Sequence, residues 1–372
     1  MTKVVGPRDA RNRELADLWR WFAQNQFRGY SPIYQRIAEA VADDDELLDL
    51  VRAAPPAAHL PLVLLAAAHF LLLQGYQHPL AEVYAGRYHA DPAPLFLDLC
   101  QRRRDDMAAL LATRHTQTNE CGRSAVLGPA LTWLASSFDR PLALVDAGAS
   151  AGLNLVCDRY HLDYGERGAT GPAQSTVKID CRVVGGDPPI AAMLPPLVAR
   201  MGVDRSPVDL TNPDDARWLL ACVWPDTGRL GRTEAAIRLA QQDLPVVVAG
   251  DVNEALPAVL RALPAGAVAV VVTTWAFAYL SIEQQGGFLR LLEAESHHRT
   301  VAWLSAEGIG TVSPLADAVA RTVVPQHDHT DANVLGAVIF EGGEYRPHLL
   351  GFVHQHGSWI DWRATGADSS SR

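Results

Sequence analysis

Leu142–Arg159 reads LALVDAGASAGLNLVCDR, and the fold turns on how this stretch is read. Leu142 to Val145 is apolar without alternation, the pattern of a strand covered on both faces in a parallel sheet. Asp146 follows as a strand-end acid. Ala147 to Gly152 is a turn of small residues, and a helix opens after it. A strand feeding a glycine turn and a helix builds a small-molecule site. The helix start offers N–H groups and partial positive charge, and the glycines let a ligand approach the backbone. Gly148 and Gly152 make the bend, and Ser150 is small enough for a ligand to rest against. Asn154, in the first helical turn, is placed either to reach back to that ligand or to cap locally.

Two chemistries fit this turn. Read as Asp146-x-Gly148-x-Ser150-x-Gly152, it is similar to the first motif of class I S-adenosylmethionine (SAM) methyltransferases: acid, Gly, any, small, any, Gly. Read as Gly148-Ala-Ser150-Ala-Gly152, it fits the GxSxG nucleophile elbow of α/β-hydrolases, which uses the same strand–turn–helix geometry. A nicotinamide-binding fingerprint requires Gly-x-Gly-x-x-Gly. Here the spacing differs, and an acid would face the pyrophosphate. The same acid suits a ligand whose amine and sulfonium are positive.

Composition narrows the classes. The 372 residues are 48% hydrophobic and 20% charged, enough apolar material for a sizeable core. A net charge of −10 and the lack of a basic cluster argue against a nucleic-acid partner. In Gln101–Asp106 (QRRRDD) two aspartates answer three arginines, as on a solvated helix face. Lys3 and Lys178 are the only lysines, so Schiff-base chemistry is not expected. Cys100, Cys121, Cys157, Cys181 and Cys222 are widely spaced and form no CxxC pair, as for reduced thiols in a cytoplasmic protein. The opening MTKVVGPRDARNREL has no apolar core of a signal peptide. The longest apolar run, Pro61 to Leu73, is too short to span a bilayer and reads as a core helix, so no membrane partner is expected.

Taken in order, the first 140 residues read as helices, with no strand before Leu142. Leu15, Leu18, Trp19 and Phe22 share a helical face. Ser31-Pro32 is a cap and first-turn proline. Leu127, Leu131, Leu134 and Phe138 form a last stripe. Val177 to Val183 alternates as one half-exposed strand. Pro188 to Asp226 is proline-rich, with helical pieces expected at Ala191–Met201 and Asp214–Val223, the second capped by Asp214. From Val246 strands and helices alternate, which implies a parallel sheet. Glu341-Gly342-Gly343-Glu344 joins two final strands as a hairpin. His327 and His329, in QHDHT, read as a loop without a third metal ligand, so no metal is expected. The tail from Ala364 is polar and reads as disordered.

This layout resembles the class I methyltransferase fold, an α/β, Rossmann-like, mostly parallel sheet closed by an antiparallel hairpin, here preceded by an all-helical N-terminal region. The implied division is a helical region over 1–125, an α/β domain over 126–363 with an insertion at 165–241, and a tail at 364–372. In that family the third strand ends in phrases such as GDA-x-E-x-LP near the adenine, which Gly250-Asp251-Val-Asn-Glu254-Ala-Leu256-Pro257 matches. The resemblance implies SAM as cofactor and methyl transfer to a small-molecule acceptor. It also implies a ribose-binding acid after the second strand, for which Asp163 is preferred over Asp180. At a finer level the chain resembles the uncharacterised bacterial DUF2332 family. The resemblance lies in Thr116-Gln-Thr-Asn119-Glu120-Cys-Gly-Arg123, Gly148–Leu155 with Asp158-Arg159-Tyr160, Arg200-Met-Gly-Val-Asp204, Cys222-Val-Trp224-Pro225-Asp226 and His356-Gly357-Ser-Trp359.

The remaining candidates surround this turn. The polar segment Thr116–Arg123 reads as a lid, with Asn119 and Arg123 toward substrate and Glu120 as acid or base. Trp224, with Arg229 and Arg232, forms a substrate wall or a plain helix entry. Trp275 follows the fourth strand, where methyltransferases put substrate-facing residues. His354 and His356 follow the last long strand, and His356 suits a base near neutral pH. The hydrolase alternative takes Ser150, Asp251 and His354 or His356 as a triad. A non-catalytic ligand-binding protein on the same fold is the third reading.

Overall fold

The computed structural model describes residues 12–325 and 332–364. His327 and His329, and the tail from residue 365, lie outside the described residues. Among the described residues seven helices come first: α1 (Arg13–Phe22), α2 (Pro32–Val41), α3 (Asp45–Ala53), α4 (Pro61–Leu73), α5 (Pro79–Tyr84), α6 (Pro92–Arg102) and α7 (Arg104–Thr113). Helix α8 (Ser124–Ser137) then leads into β1 (Leu142–Ala147). Short strands β2 (His161–Asp163), β3 (Ala169–Thr170), β4 (Lys178–Asp180) and β5 (Arg182–Gly185) precede the longer β6 (Leu197–Asp204). Helices α9 (Pro213–Ala221) and α10 (Leu230–Ala240) are followed by β7 (Val247–Ala249), α11 (Val252–Ala262), β8 (Val268–Thr274), α12 (Ile282–Glu295), β9 (Val301–Gly308) and α13 (Ala316–Ala320). Strands β10 (Asn333–Glu341), β11 (Glu344–Val353) and β12 (Trp359–Trp362) close the chain.

The chain divides into two units, Met1–Thr118 with Thr211–Glu234, and Asn119–Leu210 with Ala235–Arg372. The first is helical. Its core joins Trp19, Phe27, Ile37, Leu48, Phe96 and Trp218 around α4, which is buried along nearly its whole length. Apolar residues on all sides of a thirteen-residue helix mark it as the centre of a bundle. No described helix is long and apolar enough to cross a membrane. Caps set the helix starts: Ser31 Oγ accepts Tyr34 N–H ahead of Pro32, and Asn212 accepts Asp214 N–H. The expected cap Asp214 therefore lies two residues too far along; Asn212 precedes Pro213 and takes the role, because proline favours the first helical position.

The second unit is built on a nine-stranded sheet of order β5-β12-β11-β10-β9-β8-β1-β6-β7. Strands β7, β6, β1, β8 and β9 run parallel, and β10 and β11 add an antiparallel hairpin on Gly342 and Gly343, both at positive φ. Strand β1 is buried at every residue, as its unalternating apolar run requires. From β1 the chain builds outward through β6 to β7, then returns to build β8 and β9 on the other side. The strand order thus reverses at β1, and the crevice beyond the carboxyl ends of β1 and β8 is where open α/β sheets hold ligands.

Two readings between β1 and β7 are corrected. Ala191–Met201, expected to be helical, contributes to β6, which pairs parallel to β1 from Leu197 to Val203. Pro195 and Pro196 prevent a helix from starting earlier, since proline removes backbone donors. Gly202 is required within the strand, because a Cβ there would stand 2.6 Å from Ala149 Cβ. Val177–Val183 is not one strand. Cys181 carries the chain from β4, in a three-stranded sheet with β2 and β3, to β5 beside β12. The period-2 pattern survives this crossing, so alternation alone does not reveal it.

Candidate functional site

The carboxyl end of β1 delivers Asp146 and then the glycine turn. Gly148 N–H and Ala149 N–H both donate to Val203 O, at 2.8 and 3.1 Å, which folds the turn over the end of β6. Gly148, Ser150 and Gly152 have φ of +91°, +51° and +75°. Glycine adopts this region freely, whereas serine pays for it, so Ser150 is the strained member. A Cβ on Gly148 would lie 2.5 Å from Ala276 Cβ, and one on Gly152 would lie 2.6 Å from Pro245 Cβ. The glycines therefore admit neighbouring chain segments against the turn.

Asp146 is 2% exposed, and apart from the Asn154 amide that faces it neither carboxylate oxygen has a hydrogen-bond partner. Burial pushes its pKa up to about 7; Arg123 opposes the rise, Asp204 adds to it, and the Asn154 amide opposes it. An unpartnered buried carboxylate is costly, so such a group is a functional-site candidate. Asn154 is buried beside it and accepts the Ser124 hydroxyl at 3.4 Å.

The helix after the turn is a short 3₁₀ segment, Leu153–Arg159. Its Leu153 N–H is taken by Asn119 Oδ1 at 2.9 Å. Asn119 thus ties the preceding polar segment to the turn. Asn119, Glu120 and Arg123 are all buried, so this connector is not a solvated loop. Glu120 Oε1 accepts Gly122 N–H at 2.8 Å, and its Oε2 lies 4.0 Å from His356 Nδ1. His356 N–H donates to His354 Nδ1 at 3.1 Å. Gly357 presses this loop onto Gly122, where a Cβ would strike the Gly122 carbonyl.

Arg123 crosses between these parts. Its Nη1 donates to Thr274 O at 2.7 Å and its Nε to Gln355 O at 3.1 Å. Burial lowers its pKa, while Glu120, Glu307, Tyr279 and Asp146 work the other way. Arg123 is the positive centre of a buried acidic group and joins the end of β8 to the loop after β11.

Beyond β8, Trp275 stands at φ +56°, a left-handed conformation that is rare for a bulky aromatic residue. Its indole N–H is buried without a partner. Glu307, near the end of β9, is fully buried; Oε1 accepts Ala276 N–H and Phe277 N–H at 3.1 and 3.0 Å, and Oε2 has no partner. Burial raises its pKa, and the backbone N–H groups of Phe277, Ala276 and Ala278, together with Arg123, partly offset the rise.

The other candidates are placed differently. Asp163 sits on the small sheet and accepts Gly165 N–H at 2.8 Å; it does not end a strand beside β1. The strand beside β1 on the side of β7 is β6, and it ends in Asp204, whose Oδ2 accepts Ser150 N–H at 2.8 Å. Asp251 follows β7, caps α11 and binds Arg205 at 2.6 Å, which lowers its pKa. Trp224 belongs to the helical unit, packed on Phe27, Tyr30 and Tyr34 with centroids 5.0, 5.4 and 5.9 Å away. Nearby Asp226 accepts the Ser31 hydroxyl at 2.6 Å and Ile33 N–H at 3.0 Å, sealing the start of α2.

Asp204 and Glu307 were not among the expected site residues. Both lie where an apolar strand runs into an acid, GVD and SAE, as VDAG does at Asp146. That repetition is the sequence signal that marks them.

Two cavities open elsewhere. One of about 480 Å³ is lined by Asp163–Arg167 and Asp180–Val183, and one of about 260 Å³ lies between Gly308 and Val334. Neither includes Asp146, and Ala276 and Pro245 close on the glycine turn. Among the described residues no group of three His, Cys, Asp or Glu side chains is arranged to hold a metal ion. The hydrolase triad does not assemble. Asp251 follows β7 and His354 follows β11, six strand spacings or roughly 29 Å apart across the sheet.

No curated protein matches the chain. Residues 16–362 match the model of the family described as an uncharacterized protein conserved in bacteria, DUF2332, and the chain belongs to that family.

Proposed function

We propose that the chain binds SAM at the end of β1 and transfers its methyl group to a small-molecule acceptor. On this reading residues 126–363, with the insertion at 165–241, form a class I methyltransferase-like domain behind a helical region over 1–125, in a cytoplasmic enzyme. One observation carries the reading: Asp146, at the point where strand order reverses, is a buried carboxylate that meets no donor beyond the Asn154 amide. A cationic amine satisfies such a group, and the adjacent turn brings backbone close to a ligand. The acid assigned to the ribose becomes Asp204 in place of Asp163, because it ends the strand beside β1. Asp251, one strand further out, retains the adenine side.

Bound there, the cofactor supplies an electrophilic methyl carbon. The residues need only hold the acceptor in line with it and keep water out, since proximity and orientation supply much of such a barrier reduction. Arg123 and Asn119 hold the walls, and Trp275 lies across the mouth. Glu120 and His356, 4.0 Å apart, form the pair that exchanges protons with solvent. Because Ala276 and Pro245 close on the turn, this reading requires the segment after β8 to open for entry.

Ultraviolet cross-linking with tritium-labelled SAM tests the proposal. Label recovered in the peptide containing Asp146–Asn154 supports it, and label spread over the chain or absent opposes it. The strained φ of Ser150 favours a second reading, a serine hydrolase nucleophile that does not draw on Asp251. A fluorophosphonate that labels wild type and not Ser150→Ala supports that alternative. Failure of both experiments leaves a non-catalytic ligand-binding protein.

A further inference from the structure

Glu307 has no role in the reading above, yet it is tied directly to the site. The residue before it, Ala306, pairs with Thr274 and accepts Trp275 N–H at 3.2 Å. Its own Oε1 gathers the next two N–H groups, of Ala276 and Phe277. Ala276 in turn packs on Gly148. One carboxylate oxygen therefore fixes the segment that lies on the glycine turn, and the other is left buried with no donor.

The unmet hydrogen-bonding demand here is mostly for donors. Asp146 contributes a carboxylate met only by the Asn154 amide, and Glu307 contributes Oε2. Arg123, the guanidinium that Glu120, Asp146 and Glu307 share, directs Nη1 and Nε to the carbonyls of Thr274 and Gln355. Three carboxylates around one guanidinium favour a positive ligand, and a SAM amine accounts only for Asp146. A neutral alcohol meets one hydrogen bond but not the charge.

We propose that Glu307 Oε2 binds the acceptor, and that the acceptor is an amine. The proposal rests on the SAM reading for the methyl donor. The ammonium first gives a proton to Glu307. With SAM bound, the freed nitrogen lone pair would take the methyl group, the N–C bond forming as the S–C bond breaks and its electron pair stays on sulfur as a thioether. The product leaves as a methylated ammonium, and Glu307 returns its proton to solvent.

Calorimetric titration of wild type and Glu307→Gln with phenethylamine and n-hexylamine, against phenethyl alcohol and 1-hexanol, tests this. Each titration is run with and without S-adenosylhomocysteine. The Gln variant keeps an oxygen for Ala276 and Phe277, so the segment stays anchored, and its circular dichroism and S-adenosylhomocysteine affinity match wild type. Amines bind wild type, alcohols bind at least roughly tenfold more weakly, and Glu307→Gln loses the amine preference by a similar factor. Equal binding of amines and alcohols, no binding of either amine, or amine binding indifferent to the substitution overturns the proposal. If amines bind through Glu307 while S-adenosylhomocysteine does not bind at all, the cofactor reading fails and the amine site stands.

Discussion

Asp204 grips Ser150: its Oδ2 accepts the Ser150 N–H at 2.8 Å, and its Oδ1 takes Ser206 N–H at the same distance. One carboxylate at the end of β6 thus holds the strained residue of the turn that follows β1. The pairing joins the two strands that flank the proposed nucleoside site.

Asp204→Ala is expected to release that turn. Two charge-assisted bonds are lost, which corresponds to about 2–4 kcal/mol of stability, read as a lower urea midpoint. SAM affinity should fall with it. Asp163→Ala loses the bond to Gly165 N–H on the small sheet, and should leave SAM affinity unchanged. The reverse ranking would return the ribose role to Asp163.

The pH dependence of stability should carry the signature of Asp146. Its folded pKa is raised from 3.8 to about 7, so the unfolded chain loses this proton first. Stability from the protonated form is full below about pH 4 and falls as pH rises to about 7, by about 4 kcal/mol at most. Asp146→Asn does not titrate. Its thermal midpoint relative to wild type should therefore climb between pH 4 and pH 7 and level off above. A difference that stays flat with pH would mean the carboxylate is already satisfied.

Glycine substitutions should separate close packing from mere flexibility. Gly202→Ala drives a methyl to 2.6 Å from Ala149, and Gly148→Ala drives one to 2.5 Å from Ala276 at a positive φ. Overpacking of this kind costs about 1–3 kcal/mol, with roughly 1 more for the left-handed conformation of Gly148. Gly266→Ala meets open space at an ordinary φ and should be neutral or slightly stabilising. Chemical denaturation of the three variants checks this order.

The sequence carried the fold wherever one local rule was enough. Strand β1 declared itself through an apolar run ending in an acid, and α2 through the Ser31 cap and Pro32 at its start. Proline-rich chain between Pro188 and Asp226 hid β6, because Leu194 and Leu197 mimic a helical spacing across Pro195 and Pro196. Losing β6 also lost Asp204, and with it the neighbour of β1. Glu307 was passed over for another reason: an acid after a strand is usually solvated, and only packing reveals that this one is buried. Trp224 shows the limit of neighbours read from sequence. Its aromatic and cationic neighbours suggested a ligand wall, yet the same residues pack on Phe27, Tyr30 and Tyr34 and cap α2 within the helical unit.

The most direct test is calorimetric titration of the purified protein with SAM and with S-adenosylhomocysteine, beside Asp146→Ala. The account predicts saturable one-site binding of both by wild type, tighter at pH 8 than at pH 6 as Asp146 ionises, and a loss of roughly tenfold or more in the variant. No heat of binding in wild type, or equal affinity in Asp146→Ala, contradicts it.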